Sequence, residues 1–361
     1  MHDIAPYTYS PAGNVIVLAD GPELLVYSAA NDQGLWKAMA EDVLMGVGAT
    51  EDQVLSVDAT GKITAYRPVD GHQLFQVETD SSPITMTVSA DGHCLILEAS
   101  AICVVRPGAD PLRVGWETPR AAAWGPDSAS IGIGGADGTF AVVDPASGGA
   151  WGTQALGAPI RGVAWRPDGT WAVAHGQQIS FVSSDGTEIS SVLPVPGAVG
   201  EVAVSNDGAI LAVMVDTQKV VLFELHGNAV VGEVTFQREV SHIQFGTKHW
   251  LGFGFDYGDA NRLDVATGKV TRTQAHPGRA QNAWAMNASV NQALVRGGIA
   301  NVAAAGVAIA QKGKPKADKP VQKKKRNLKA WYGVGFFLLA VIFVGCCGGG
   351  TLLAAIPTFW R

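Results

Sequence analysis

The chain has 361 residues, 47% of them hydrophobic and only 16% charged, with 44 Gly. That is too apolar for a disordered polymer and too rich in glycine for a mainly helical protein, and it is long enough to bury a sizeable core. The formal charge of −6 is segregated: residues 312–329 hold nine Lys/Arg against one Asp, so residues 1–311 carry −15 once that +8 and the +1 of Arg361 are set aside. An acidic body followed by a basic collar argues against nucleic-acid binding by the body. Four cysteines, at 94, 103, 346 and 347, are too few to staple a fold of this size and point to a reducing compartment. The start, Met1-His2-Asp3-Ile4-Ala5-Pro6, has neither the basic nor the apolar region of a secretory signal, so export of the body is not expected.

Residues 1–310 are built on one recurring phrase: a short apolar strand, a tight polar turn, and a second apolar run. The turns begin at Ser10, Thr50, Ser89, Gly125, Arg166, Ser205, Gly246 and, most weakly, Asn287, at steps of 36 to 41 residues. Pro11, Pro126 and Pro167 fix φ, Asp91, Asp127, Asp168 and Asp207 can accept local backbone hydrogen bonds, and Gly13, Gly92, Gly169 and Gly208 can supply a positive φ. Two repeats share a longer match, Ala123-Trp124-Gly125-Pro126-Asp127 and Ala164-Trp165-Arg166-Pro167-Asp168. The run after each turn, such as Val15-Ile16-Val17-Leu18 or Ile210 to Val215, suits a strand buried on both faces. A second turn leads to a third strand, for example Thr139 to Val143, and a more polar fourth strand such as Lys269 to Thr273 reads as an exposed edge.

Four short strands every forty residues or so predict propeller blades. On these turns and this repeat length the body resembles the WD-repeat β-propeller family over about residues 3–310. The expected fold is therefore all-β, a propeller of four-stranded blades, eight by count and seven if the last repeat, with Ala293 to Gly298, caps the ring instead. A first strand at Ile4 to Tyr9 implies blades of contiguous sequence and closure without a swapped strand. The Trp-Asp ending of the third strand is replaced here by Val26-Tyr27, Ala65-Tyr66, Val142-Val143, Phe181-Val182 and Leu222-Phe223. The family's His–Ser–Trp–Asp network is accordingly not expected, and cohesion must come from apolar packing between blades.

Residues 311–330, interrupted by Pro315 and Pro320 among lysines, read as a flexible basic linker. From Trp331 to Ile356 no residue is charged, and as a helix this stretch would be about 39 Å long, enough to cross a hydrocarbon core. A transmembrane helix is thus expected over 331–357, with a short tail at 358–361 beyond it. Trp331 and Tyr332 at one end and Trp360 at the other suit the headgroup zones, and Lys323, Lys324, Lys325, Arg326 and Lys329 place the body in the cytoplasm and can touch anionic lipid. The arrangement resembles a tail-anchored protein. Gly345 and Gly349 stand at the spacing of a close helix–helix contact, which would make a homo-oligomer through the span, or else are merely small residues tolerated in lipid.

Catalytic signatures are not visible. The eight histidines show no His-Glu-x-x-His spacing, and neither a nucleophile elbow nor a phosphate loop occurs. Neither a metal site nor a cofactor is expected. Asp256-Tyr257-Gly258-Asp259-Ala260-Asn261 has oxygen ligands at alternating positions but lacks the closing Glu of a calcium loop, and reads better as a hairpin turn. Cys94 and Cys103 fall on adjacent strands of one blade as reduced thiols. Trp36, Trp116, Trp151, Trp171, Trp250 and Trp284 either fill gaps between blades or anchor a partner on a rim. The sequence therefore leads to a membrane-tethered, non-catalytic scaffold or sensor that binds a protein or peptide, with lipid as its second partner and no nucleic acid. The alternative is a propeller enzyme, quinoprotein-like or lactonase-like, with its site in the central funnel.

Overall fold

The structure is a computed structural model, and it describes residues 7–274 apart from 32, 237, 248–249, 256–258, 266 and 268. Within that range the chain forms seven four-stranded antiparallel sheets, each from contiguous sequence with its strands in chain order. The blades cover residues 7–39, 44–78, 85–115, 119–155, 160–194, 199–235 and 240–274. Their first strands, Tyr7–Tyr9, Leu44–Ala49, Thr85–Val88, Pro119–Trp124, Ile160–Arg166, Val199–Val204 and Val240–Thr247, pack in succession, and the last returns to the first. They are the inner strands of a propeller and surround its channel.

Burial follows the radial order. Second and third strands are apolar on both faces because each is covered by two neighbouring blades: Ile16 to Ala19, Leu95 to Leu97 and Ala172 to Ala174 are all at most 4% exposed. Outer strands alternate between exposed and half-buried, as in Gly34–Met39, Gln73–Glu78 and Ala150–Ala155. The expectation of a polar edge holds only in part. Ala150–Ala155 and Ile189–Pro194 carry no charge at all, and Trp151, Ile189 and Val192 stand 53%, 43% and 47% exposed on them.

The count of eight blades is corrected to seven. Blade 7 packs directly on blade 1, leaving no place for another sheet between them. Tyr7 and Tyr9 lie over Gly254 and Gly252 so closely that a Cβ on either glycine would come within 2.4 Å and 2.2 Å of the ring. The Tyr7 hydroxyl donates to the His242 carbonyl at 3.0 Å, the Tyr9 hydroxyl to the Asn261 carbonyl at 3.2 Å, and Thr8 Oγ1 to Gln244 Oε1 at 2.9 Å. Arg262, in the third strand of blade 7, donates to the Ala29 carbonyl of blade 1 at 2.9 Å. The forty-residue step continues past 274 in sequence, but the repeat at Asn287 lies outside the described residues, as do the linker and the apolar span 331–357. Among the described residues no helix is long and apolar enough to cross a membrane.

Candidate interaction site at the channel mouth

Inner strands run from one end of the channel to the other, so every connection that enters an inner strand lies at the same end, here the mouth. Five inner strands carry a one-residue irregularity there, between Leu44 and Gly46, Pro119 and Ala121, Ile160 and Gly162, Val199 and Val202, and Val240 and His242. A bulge sets two residues against one and re-aims a side chain out of the sheet. The flanking residues Leu44, Ala121, Ile160, Val199 and Val240 are at most 8% exposed. The extra residues are not: Arg120 and Arg161 are exposed, and Met45 and Ser241 half-buried. These residues lie at the mouth end of their inner strands. Ile84, one residue ahead of the inner strand of blade 3 and 54% exposed, holds the corresponding place there.

The chemistry changes round this ring. Blades 2 and 3 present Val43 and Ile84, 47% and 54% exposed, while the half-buried Met45 packs against the apolar cluster that includes Leu55, Ile63 and Ile96. Blades 4 and 5 present Arg120 and Arg161, neither of which has an ion-pair partner among the described residues. Blades 6 and 7 present an ion pair: Glu201 Oε1 lies 2.6 Å from His242 Nδ1, and Glu201 Oε2 accepts the Ile243 N–H at 2.7 Å. Burial opposes charge on His242, but the Glu201 carboxylate more than offsets it and holds the imidazole above its ordinary value. Tyr7 lies edge-on to His242 at 5.1 Å, and burial, with Tyr9 and Glu201 beside it, keeps its hydroxyl protonated well above the usual range. This triad joins three blades. Its hydroxyl is committed to a carbonyl and its carboxylate to two donors, which makes it a closure element rather than a nucleophile and base.

The residues singled out from the sequence lie elsewhere. The turns holding Pro11, Pro126, Pro167, Asp91, Asp127, Asp168 and Asp207 sit at the opposite end of the channel, where they terminate hairpins. Gly13, Gly92, Gly169 and Gly208 have φ between 70° and 89° there, as those turns require. Asp168 Oδ1 accepts from Thr170 N and Oγ1 at 3.1 and 2.7 Å, Asp207 Oδ1 accepts from Ala209 N at 3.1 Å, and Asp91 Oδ2 accepts Ser128 Oγ of the next blade at 2.8 Å. Pro126–Ser128 forms a single 3-10 turn. These are structural hydrogen bonds and bring no reactive groups together.

Of the tryptophans, Trp171 is wholly buried against Phe140 and Trp165, and Trp36 packs on Tyr66 with its Nε1 donating to the Pro68 carbonyl at 2.7 Å. Trp116 is half-buried in the packing between blades 3 and 4. Trp250, 37% exposed, lies under the Arg262 guanidinium, Trp151 is open to solvent, and Trp284 falls outside the described residues. Cys94 and Cys103 are free and buried. Burial and the neighbouring Cys103 push the Cys94 thiol up to about 12, and burial with Glu98 pushes Cys103 up to about 11, so both are inert. Trp250–Phe255 pairs antiparallel with Asp259–Asp264, residues 256–258 of the Asp256 to Asn261 segment lie outside the described residues, and no group of three potential metal ligands occurs among the described residues. Lys323, Lys324, Lys325, Arg326, Lys329, Trp331, Tyr332, Trp360, Gly345 and Gly349 all lie outside them. What the sequence reading missed is the pair Arg120 and Arg161. The signal was there, since they stand 41 residues apart, the same step as Pro126 to Pro167.

The chain matches no family model and no curated protein in sequence. Its likeness to solved structures is clear. It is similar to the β-propeller domain of Myceliophteria thermophila Cps50 (Swd1), with a TM-score of 0.61 at 11% identity over 72% of this chain and 96% of that one. It is also similar to the C-terminal WD40 domain of Sif2, with a TM-score of 0.57 at 13% identity over 71% and 79% of the two chains. Hydrazine synthase of Kuenenia stuttgartiensis gives 0.59 at 14% identity over 75% and 95%. The class is therefore a seven-bladed, WD40-like β-propeller. At these identities the likeness establishes the fold alone, one that serves interaction proteins and enzymes alike.

Proposed function

We propose that this protein is a non-catalytic interaction scaffold, a propeller held at the cytoplasmic side of a membrane by the apolar segment 331–357, which docks a protein partner at the channel mouth. The observation that carries the reading is the pair of exposed cationic side chains, Arg120 and Arg161, at equivalent bulges of the adjacent inner strands of blades 4 and 5, with the exposed apolar Ile84 just ahead of the inner strand of blade 3. Side chains freed from the sheet and not engaged by the fold are what a docking surface requires, and a rigid scaffold holding them cuts the cost of ordering on binding. The structural neighbours include a chain from the mitotic checkpoint complex, which is in keeping with such a role. The basic segment 323–329 beside an uncharged run supports the tether. A photo-crosslinking residue placed at Ile84 in the full chain tests the docking surface in cells. A discrete protein adduct from Ile84 and Ser241 but not from Ile189 on the outer wall is expected. Adducts from the outer wall with none from the mouth would overturn it.

A further inference from the structure

We propose that Arg120 and Arg161 form an anion clamp that takes the acidic oxygens, carboxylate or phosphate, of an extended peptide segment entering the channel mouth. The proposal rests on the docking surface described above and names the chemistry it reads. Arg120 lies in the inner strand Pro119–Trp124 and Arg161 in the adjacent inner strand Ile160–Arg166, each as the extra residue of a bulge at the same place in its blade. Buried neighbours pin the backbone on both sides: Ala121 is 8% and Ile160 0% exposed, and a Cβ on Gly162 would stand 2.8 Å from Val202 N of the next inner strand. Two guanidiniums are thus presented by fixed backbone, exposed, and without an ion-pair partner among the described residues. Planar donor forks of this kind match carboxylate and phosphate oxygens in pairs.

The surroundings select the occupant. Glu41, Asp42, Asp80, Glu117 and Glu239 are exposed on the connections at the same end of the channel, so a broad anionic surface such as a bilayer meets repulsion round the rim. A single extended chain can place one acidic group between the two arginines while avoiding the rim. Ile84 of blade 3, next round the ring from Arg120, offers apolar contact to the residue beside that acidic group. The clamp should therefore prefer an acidic residue flanked by an aliphatic one.

The test uses the full-length protein in phosphatidylcholine nanodiscs and fluorescein-labelled peptides of alternating Leu with Asp, phosphoserine or Asn. Binding of the Asp and phosphoserine peptides but not the Asn peptide is expected. Arg120→Gln or Arg161→Gln alone should weaken it by about 10-fold and the pair together by at least about 30-fold, with further loss on raising salt. The ratio of phosphoserine to Asp affinity tells which oxyanion is preferred. Both arginines are exposed, so the variants should melt as wild type does, which separates lost binding from lost fold. Failure of the wild type to bind either acidic peptide, equal binding by the double variant, or arginine-dependent capture of phosphatidylserine vesicles in place of peptide would each overturn the clamp. If the Ile84 adduct persists undiminished in the double variant, the docking reading stands and the clamp falls. If no mouth position of the wild type crosslinks, the docking reading itself fails.

Discussion

Closure of the ring between blades 7 and 1 can be probed at Tyr9 and Gly252. Tyr9 is 3% exposed, its ring covers Gly252, it meets Tyr7 edge-on at 6.0 Å, and its hydroxyl holds the Asn261 carbonyl. Tyr9→Ala opens a cavity at the seam, removes the hydroxyl's hydrogen bond to that carbonyl and removes the aromatic pair, a loss of about 3–5 kcal/mol by analogy with other buried aromatic truncations. For a domain of this size that is a fall of roughly 6–20 °C in melting temperature. Gly252→Val drives a branched side chain into the Tyr9 ring and should cost about 1–3 kcal/mol or more from overpacking. In the double variant the valine occupies the space the ring has left, so the combined loss should be smaller than the two single losses added together by more than about 0.5 kcal/mol. Chemical denaturation of the four proteins, followed by tryptophan fluorescence, measures the cycle. Strict additivity would mean that Tyr9 and Gly252 do not touch, as an intervening eighth blade would require, and would refute seven-bladed closure.

Three further outcomes follow from the interior. Trp171→Ala, which removes a fully buried ring and its hydrogen bond to the Ser184 carbonyl, should cost about 3–5 kcal/mol, whereas Trp151→Ala on the outer wall should stay within about 0.5 kcal/mol in the same denaturation assay. Cys94 and Cys103, with thiols held at about 12 and about 11, should resist iodoacetamide at pH 8 in the native protein and react once it is unfolded in urea; fast native alkylation would contradict their burial. His242 is held above its ordinary value by Glu201 despite the opposing effect of burial, while burial lowers His175. A raised value contributes stability that is complete below the unfolded histidine range near 6.5 and fades as pH rises through the folded value. A lowered value instead costs stability on acidification below that range. His242→Gln should therefore cost more at pH 6 than at pH 8.5 in urea midpoint measurements, and a larger loss at the higher pH would reverse the assignment.

The blades were legible because each one carries its own punctuation. Pro167-Asp168-Gly169 fixes a turn through φ, a side-chain acceptor and a positive-φ glycine, all local effects that a sequence displays directly. Apolar runs such as Ile210 to Val215 declared strands buried on two faces for the same reason. The number of blades was harder to read, since a forty-residue step continues into residues that need not join the ring, and closure depends on Tyr7 and Tyr9 meeting Gly254 and Gly252 some 245 residues away. The mouth was less legible still. Nothing about a single Arg120 or Arg161 marks it as released from the sheet, because a bulge is a matter of register between two strands, and only the equal step between the two arginines hinted at a shared place.

The central claim, a propeller tethered to the cytoplasmic side of a membrane, is tested most directly by trypsin acting on sealed vesicles of known orientation. On vesicles with the cytoplasmic face outward, cleavage in the lysine-rich segment 312–329 should release a folded propeller into the supernatant, while the uncleaved chain should stay in the pellet through alkaline carbonate. Cleavage only on vesicles of the opposite orientation, or full-length chain washed free by carbonate, would contradict the account.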